Sequence, residues 1–232
     1  MSKQHSQHGF TIVELMFATA VFAVILLLCL SALIQLGRLY YKGVTTSQTQ
    51  EAARNIIDEI SQGIQLTGAD ISPPSFVGGP NIAPGSKATD NATGYFCLGD
   101  TRYSYVIDRK QTDGNSPDPQ KKEISHVLWA DSFPSCAGTF GLTPLDLNKQ
   151  DPTGTNGREL VGSNMRLTRL NIAETPAGSG VFKIDVSVAY GDEDLFSIDT
   201  LATPNRKFCK TAQAGTQFCA TSELSTIVKR RI

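Results

Sequence analysis

Along this chain apolar and polar positions follow three successive patterns. From Leu15 to Ile34 it is uncharged and almost wholly apolar over 20 residues. A helix of that length reaches ~30 Å, the thickness of a bilayer core. Helix is the economical backbone there, because lipid leaves every amide to be satisfied within the segment. The run therefore reads as a membrane-spanning helix with its N-terminus inside. Lys3 before the span favours that orientation, and Arg38 and Lys42 after it oppose it. Past Thr45 the pattern turns amphipathic. Ala52, Ala53, Ile56, Ile57, Ile60 and Ile64 recur at helical spacing between Glu51, Arg54, Asp58, Glu59 and Gln62. Gly68 is a plausible C-terminal cap and Pro73-Pro74 forbid continuation. One helix is predicted from about Phe10 to Thr67, roughly 85 Å long.

The third pattern is alternation. Val181 to Tyr190 sets Phe182, Ile184, Val186, Val188 and Tyr190 on one face and Lys183, Asp185 and Ser187 on the other. That is a strand with one apolar and one polar face. Shorter β-prone stretches are Tyr95 to Cys97, Arg102 to Ile107 and His126 to Ala130. Met165 to Ile172 is another, where Leu167 and Leu170 break the alternation and imply a bulge or a one-turn helix. Phe218 to Val228 is the last, before the basic tail Lys229-Arg230-Arg231. A long helix followed by strands predicts an α+β fold, with the amphipathic half-helix covering an antiparallel sheet. Glycine and proline cluster between Ser72 and Gly94 and between Gly114 and Gly157, which predicts long loops.

Composition adds little. Charged residues make up 19% of the chain and the formal net charge is −1, so nothing marks a polyelectrolyte partner such as bulk nucleic acid. There are five cysteines. Cys29 lies in the apolar run. Cys97, Cys136, Cys209 and Cys219 lie downstream, where a span would place them outside the cytoplasm. Two disulfides in any of three pairings fit that compartment, and four buried thiols are the alternative.

Catalytic chemistry finds few residues. His126 beside Val127-Leu128-Trp129 reads as a strand residue, with no identifiable partners for a triad or a zinc site. Val77-Gly78-Gly79-Pro80 lacks the lysine and the helix of a phosphate loop. Asp192-Glu193-Asp194 with Asp199 offers oxygen ligands, as does Thr112 to Asp118, but neither matches a calcium loop. A solvated acidic turn is the better reading of the first, with Asp192, Asp194 and Asp199 kept as a weak metal candidate. Asn91-Ala92-Thr93 fits a glycosylation sequon. No cofactor and no enzymatic activity are expected.

Glu14 stands out, a carboxylate at the membrane edge five residues past Gly9. Such a group is costly in lipid unless it snorkels or pairs. A headgroup-level residue with no further task is the bland alternative. The stretch Gly9-Phe10-Thr11-Ile12-Val13-Glu14-Leu15 resembles the class III signal of type IV pilins and type II secretion pseudopilins. The likeness is specific over residues 8 to about 36 and looser across the helix that follows. It implies a leader of residues 1–9 removed by a membrane prepilin peptidase after Gly9. It further implies N-methylation of Phe10, and Glu14 pairing with the N-terminal amine of a neighbouring subunit. It suggests a minor pilin, with residues 10–36 as the transmembrane and filament-core helix. Residues 37–68 would be its amphipathic continuation, and residues 69–232 a mainly β head. Partners would be other pilin or pseudopilin subunits, the peptidase, an inner-membrane assembly platform and, before assembly, the lipid bilayer. The head would lie outside the cytoplasm, at first beside the inner membrane and then on a pilus at the cell surface. Two rivals stay open: a minor pseudopilin of a type II secretion system, and a tip module whose loops bind DNA or a surface. Three basic residues at the C-terminal end are a thin basis for DNA.

Overall fold

The helix is one unbroken element, α1 (Ile12–Thr67). The computed structural model describes residues 11–67, 71–72, 93–112, 123–132, 147, 157–176, 178–199, 206–211 and 215–231. The chain divides into two compact units, one ending at Tyr41 and the other beginning at Lys42. In the first unit the large apolar side chains from Ile12 to Tyr41 are exposed. None of its most apolar stretch is buried, and that stretch is long enough to cross a membrane. An apolar surface of this kind needs lipid or other helices around it.

In the second unit the same helix is one-sided. Ala52, Ala53, Ile56, Ile57, Ile60 and Ile64 are all buried, as their spacing predicts. Thr45 and Thr49 extend the stripe toward the N-terminus. Each returns its hydroxyl to a preceding carbonyl, Thr45 to Lys42 at 3.1 Å and Thr49 to Thr45 at 2.6 Å. Burying each isoleucine stabilises the unit by ~1.5–3 kcal/mol.

Among the described residues twelve strands follow: β1 (Ile71–Ser72), β2 (Thr93–Leu98), β3 (Thr101–Val106), β4 (Lys110–Gln111), β5 (Glu123–Ile124), β6 (Leu128–Ser132), β7 (Arg158–Glu159), β8 (Met165–Glu174), β9 (Val181–Tyr190), β10 (Phe196–Asp199), β11 (Arg206–Cys209) and β12 (Ala220–Lys229). They form a sheet ordered β1-β2-β3-β6-β7, a second ordered β12-β9-β8-β4-β5, and the hairpin β10-β11. Pairing is antiparallel throughout except β4 with β5. The helix stripe, Phe96, Leu98, Tyr103 and Tyr105 of the first sheet, and Ile184, Val186 and Val188 of the second share one core. The architecture is α+β and pilin-like, a long helix followed by antiparallel and mixed sheets.

The one sheet of the sequence reading is thus two sheets and a hairpin. The short strands β1, β4, β5, β7, β10 and β11 escaped it, being two to four residues each. The bounds of β9 were read correctly. The irregularity in β8 is a bulge between Leu167 and Arg169. There Thr168 donates its hydroxyl to Ser187, at 3.1 Å to the carbonyl and 2.8 Å to the side-chain oxygen. The polar face of β9 is not wet as expected. Asp185 is 5% exposed, and Ser187 and Ala189 are buried too. Asp185 accepts hydrogen bonds from Ser225 at 2.6 Å and Asn171 at 3.3 Å, and pairs with Lys183 at 3.0 Å. On that side Ala189 packs with Leu195, Phe196 and Cys219 in a second small core.

Two glycines set close approaches. A Cβ on Gly63 would lie 2.8 Å from Leu98 Cδ1, so α1 meets β2 there without room for a side chain. Gly63→Val is expected to cost ~1–3 kcal/mol in a thermal melt of the detergent-solubilised protein. A Cβ on Gly157 would fall 2.3 Å from the Trp129 indole. Trp129 is the only tryptophan of the chain. Gly157→Ala is therefore expected to shift the intrinsic emission by moving that ring, and to destabilise the fold by ~1–3 kcal/mol.

Candidate functional site

The first turn of α1 is Thr11-Ile12-Val13-Glu14. The backbone N–H of Glu14 donates to Thr11 Oγ1 at 3.2 Å. Glu14 Oε2 accepts from the Thr11 backbone N–H at 3.0 Å and from its hydroxyl at 2.9 Å. This reciprocal arrangement is a capping box, which satisfies two donors that a helix start leaves open. The carboxylate also sits where the helix dipole favours negative charge. Glu14 therefore has a task within a single chain, one outside both readings drawn from the sequence. The signal was present in the sequence, as Thr and Glu three residues apart before an apolar run. Gly9 and Phe10 lie outside the described residues. Tyr40 and Tyr41 are both exposed, their rings 6.0 Å apart edge to face.

Cys209 and Cys219 form a disulfide with Cα atoms 5.8 Å apart. It closes a loop between β11 and the start of β12. Cys97 is also disulfide-bonded, whereas Cys136 lies outside the described residues. Cys29 is free and exposed. A bridge spanning ten residues stabilises by ~2–3 kcal/mol through the entropy it removes from the unfolded chain. Replacing Cys209 and Cys219 together by serine should lower stability by that amount, read by denaturant unfolding against the unmodified protein. Lys42 of α1 donates to the Cys219 carbonyl at 2.8 Å, which ties the bridge to the helix.

The acidic turn Asp192-Glu193-Asp194 is not simply solvated. Asp192 pairs with Lys110 at 2.8 Å. Glu193 pairs with Arg166, and with Lys207 at 2.9 Å. Lys207 also reaches Asp108 at 2.5 Å, and Arg166 lies 3.5 Å from the same oxygen. Arg166 is 0% exposed, with its guanidinium 5.0 Å from the centre of the Phe196 ring. Two cations and two carboxylates thus hold the β10-β11 hairpin to the second sheet. Protein cations thus occupy the carboxylates of Asp192 and Glu193. Asp194 accepts from Lys210 through its backbone carbonyl at 2.5 Å, and Asp199 stands opposite Arg206 in the backbone register of β10 and β11. Among the described residues no three His, Cys, Asp or Glu side chains converge as a metal cluster.

His126 precedes β6 rather than lying in it. Its ring is 4.3 Å from Trp129 and its Nδ1 is 3.3 Å from Glu159 Oε2. Glu159 also accepts the N–H groups of Val127, Leu128 and Val161 at 3.0, 2.9 and 3.0 Å. Its carboxylate organises this turn. The basic end is pinned as well, since the Arg230 backbone N–H donates to the Gly180 carbonyl at 2.8 Å. The loop residues Val77 to Pro80, Asn91-Ala92 and Asp113 to Asp118 lie outside the described residues.

Among the titrating groups, burial works against the charge of Asp185. Hydrogen bonds from Ser225, Lys183 and Asn171 outweigh it, and the carboxyl ends below its ordinary value of 3.8. Its stabilising contribution is complete above that value and is lost as pH falls through the lowered one. Glu174 is also lowered, by backbone N–H groups of Gly178 and Gly180. Tyr105 is pushed up by burial.

Comparison with known families places the prokaryotic N-terminal methylation motif at residues 4–30. The N-terminus is thus a class III signal of the type IV pilin and pseudopilin kind, fused to an exposed apolar helix. Together they point to a membrane-anchored, single-pass protein; the motif is that of pilin-type proteins, which are structural and assemble with other pilin subunits. No curated protein and no solved structure matches the chain.

Proposed function

We propose that the protein is a minor structural subunit of a type IV pilus or a related filament, assembled through its N-terminal helix. The observation that carries this reading is the methylation motif at residues 4–30, leading into a helix apolar on every side. Prepilin peptidase cuts after Gly9 and Phe10 becomes the methylated N-terminus. The helix then leaves the inner membrane and packs against other such helices, where Ala18, Ala20, Ala23 and Ala32 allow close contact. Glu14 exchanges part of its capping box for the amine of a neighbouring subunit. An amine and a carboxylate offset each other's desolvation when they leave lipid together.

Mass spectrometry of the mature N-terminus tests the class. N-methyl-Phe at residue 10 is the expected result. An intact Met1, or a cut near Leu36, would overturn it. A pilus subunit should also appear in sheared surface fibres, where a secretion pseudopilin should not.

A further inference from the structure

We propose that the outer edge of β12 is a self-pairing surface, which takes β12 of a second copy of this chain in antiparallel register about Thr226. Among the described residues β12 stands at the end of its sheet and pairs with β9 alone. Its ten residues run without proline or bulge. Sheet edges are ordinarily short, kinked or covered, because their outward amides capture another strand. Parity fixes which groups point outward. The Arg230 N–H donates to the Gly180 carbonyl at 2.8 Å, one step beyond the Lys229–Val181 pair. Opposite residues alternate between bonded and non-bonded pairs along an antiparallel ladder. Even-numbered residues of β12 therefore turn their amides toward β9, and Thr221, Ser225, Ile227 and Lys229 turn theirs outward. These four side chains are also exposed, whereas Ala220, Ser222 and Val228 are buried.

The occupant follows from charge. An antiparallel partner joins with odd-numbered residues opposite odd-numbered ones, so two copies slide past each other in steps of two residues. With Thr226 opposite itself, Glu223 faces Lys229 of the second copy and Lys229 faces Glu223 of the second copy. One two-fold axis thus supplies two ion pairs. Leu224 then faces Val228, apolar to apolar. Ile227, 69% exposed, faces Ser225 and lies diagonal to its own counterpart. One step either way loses this match. Centred on Ser225, Glu223 faces Ile227 and Lys229 faces Thr221; centred on Ile227, Leu224 faces Arg230. Glu223 holds Arg169 at 2.9 Å on its own sheet, and a carboxylate accepts from two cations. The axis stands normal to the sheet and reverses the direction of the α1 stretch packed on each head. The contact therefore joins copies presented from opposite directions, and is separate from packing of the helices side by side.

The test uses the detergent-solubilised full chain with Cys29→Ser, which removes the exposed thiol of the apolar helix. This parent is the blank. Thr226→Cys and Thr221→Cys are each added to it and oxidised. A disulfide needs Cα atoms about 4.4–6.8 Å apart, which opposite residues of a sheet satisfy. Thr221 is the control, because it faces Arg231 of the second copy and lies ~33 Å from its own counterpart. It is also more exposed than Thr226, so random collision favours it. The expected result is a reducible dimer from Thr226→Cys that forms about fivefold or more faster than from Thr221→Cys. Adding Lys229→Glu sets like charges opposite each other twice and slows the 226 dimer by about fivefold or more; adding Glu223→Lys as well restores it. Trp129 emission and a thermal melt report the fold of each variant. Equal rates at 226 and 221, or a 226 rate unmoved by Lys229→Glu, overturn the proposal. So does a folded double reversal that fails to restore the rate.

Discussion

Asp131→Ala is expected to destabilise the head by ~3–5 kcal/mol, enough to consume much of the stability of an ordinary domain. Asp131 lies in β6 directly opposite Arg102 of β3. Their side chains form a two-point pair, Nε to Oδ1 at 3.1 Å and Nη2 to Oδ2 at 2.7 Å. Both are buried. Removing the carboxylate leaves a guanidinium without water and without its fixed partner. Asp131→Asn keeps the shape and one acceptor, and should cost less. Chemical denaturation of the two variants side by side separates lost charge from lost volume. Equal losses would mean that the charge matters little.

Substituting Gly9 gives the second large effect, on maturation rather than stability. Under the proposed function, Gly9→Val leaves the chain heavier by its leader and without a free Phe10 amine. Glu14 then has no neighbouring amine to pair with, and assembly should be abolished rather than reduced. Gel mobility and intact mass measure processing, and shearing of surface fibres measures assembly. Normal cleavage of Gly9→Val would remove the peptidase from the scheme. Thr11→Val is the companion experiment. It removes the hydroxyl of the capping box while keeping the Glu14 carboxylate. It should weaken the first helical turn by ~0.5–2 kcal/mol and leave cleavage intact.

What could be read beforehand follows from which interactions are local. The stripe from Ala52 to Ile64 and the alternation from Val181 to Tyr190 are periodic, and periodicity survives in a bare sequence. The bulge in β8 showed as broken alternation at Leu167 and Leu170. The capping box was equally local, yet Glu14 drew attention as a membrane charge and not as the partner of Thr11. The remainder depended on distant partners. Nothing local to Arg166 says that it is fully buried between Asp108 and Glu193, residues 58 and 27 positions away. Asp185 looked solvated because its partners Asn171 and Ser225 come from the neighbouring strands β8 and β12. Gly157 looked like loop punctuation, though its lack of a side chain makes room for Trp129.

The outer strands of the two large sheets are unequal. β1, β7 and β5 have two residues each, and β12 has ten. Open backbone amides recruit further strands, and a two-residue border offers too little length to hold one. Among the described residues, then, this head can extend a sheet in only one direction. Two heads that stick border to border through β12 use up the long border of both. Growth stops at a pair, and an endless cross-β stack would first require the fold to open.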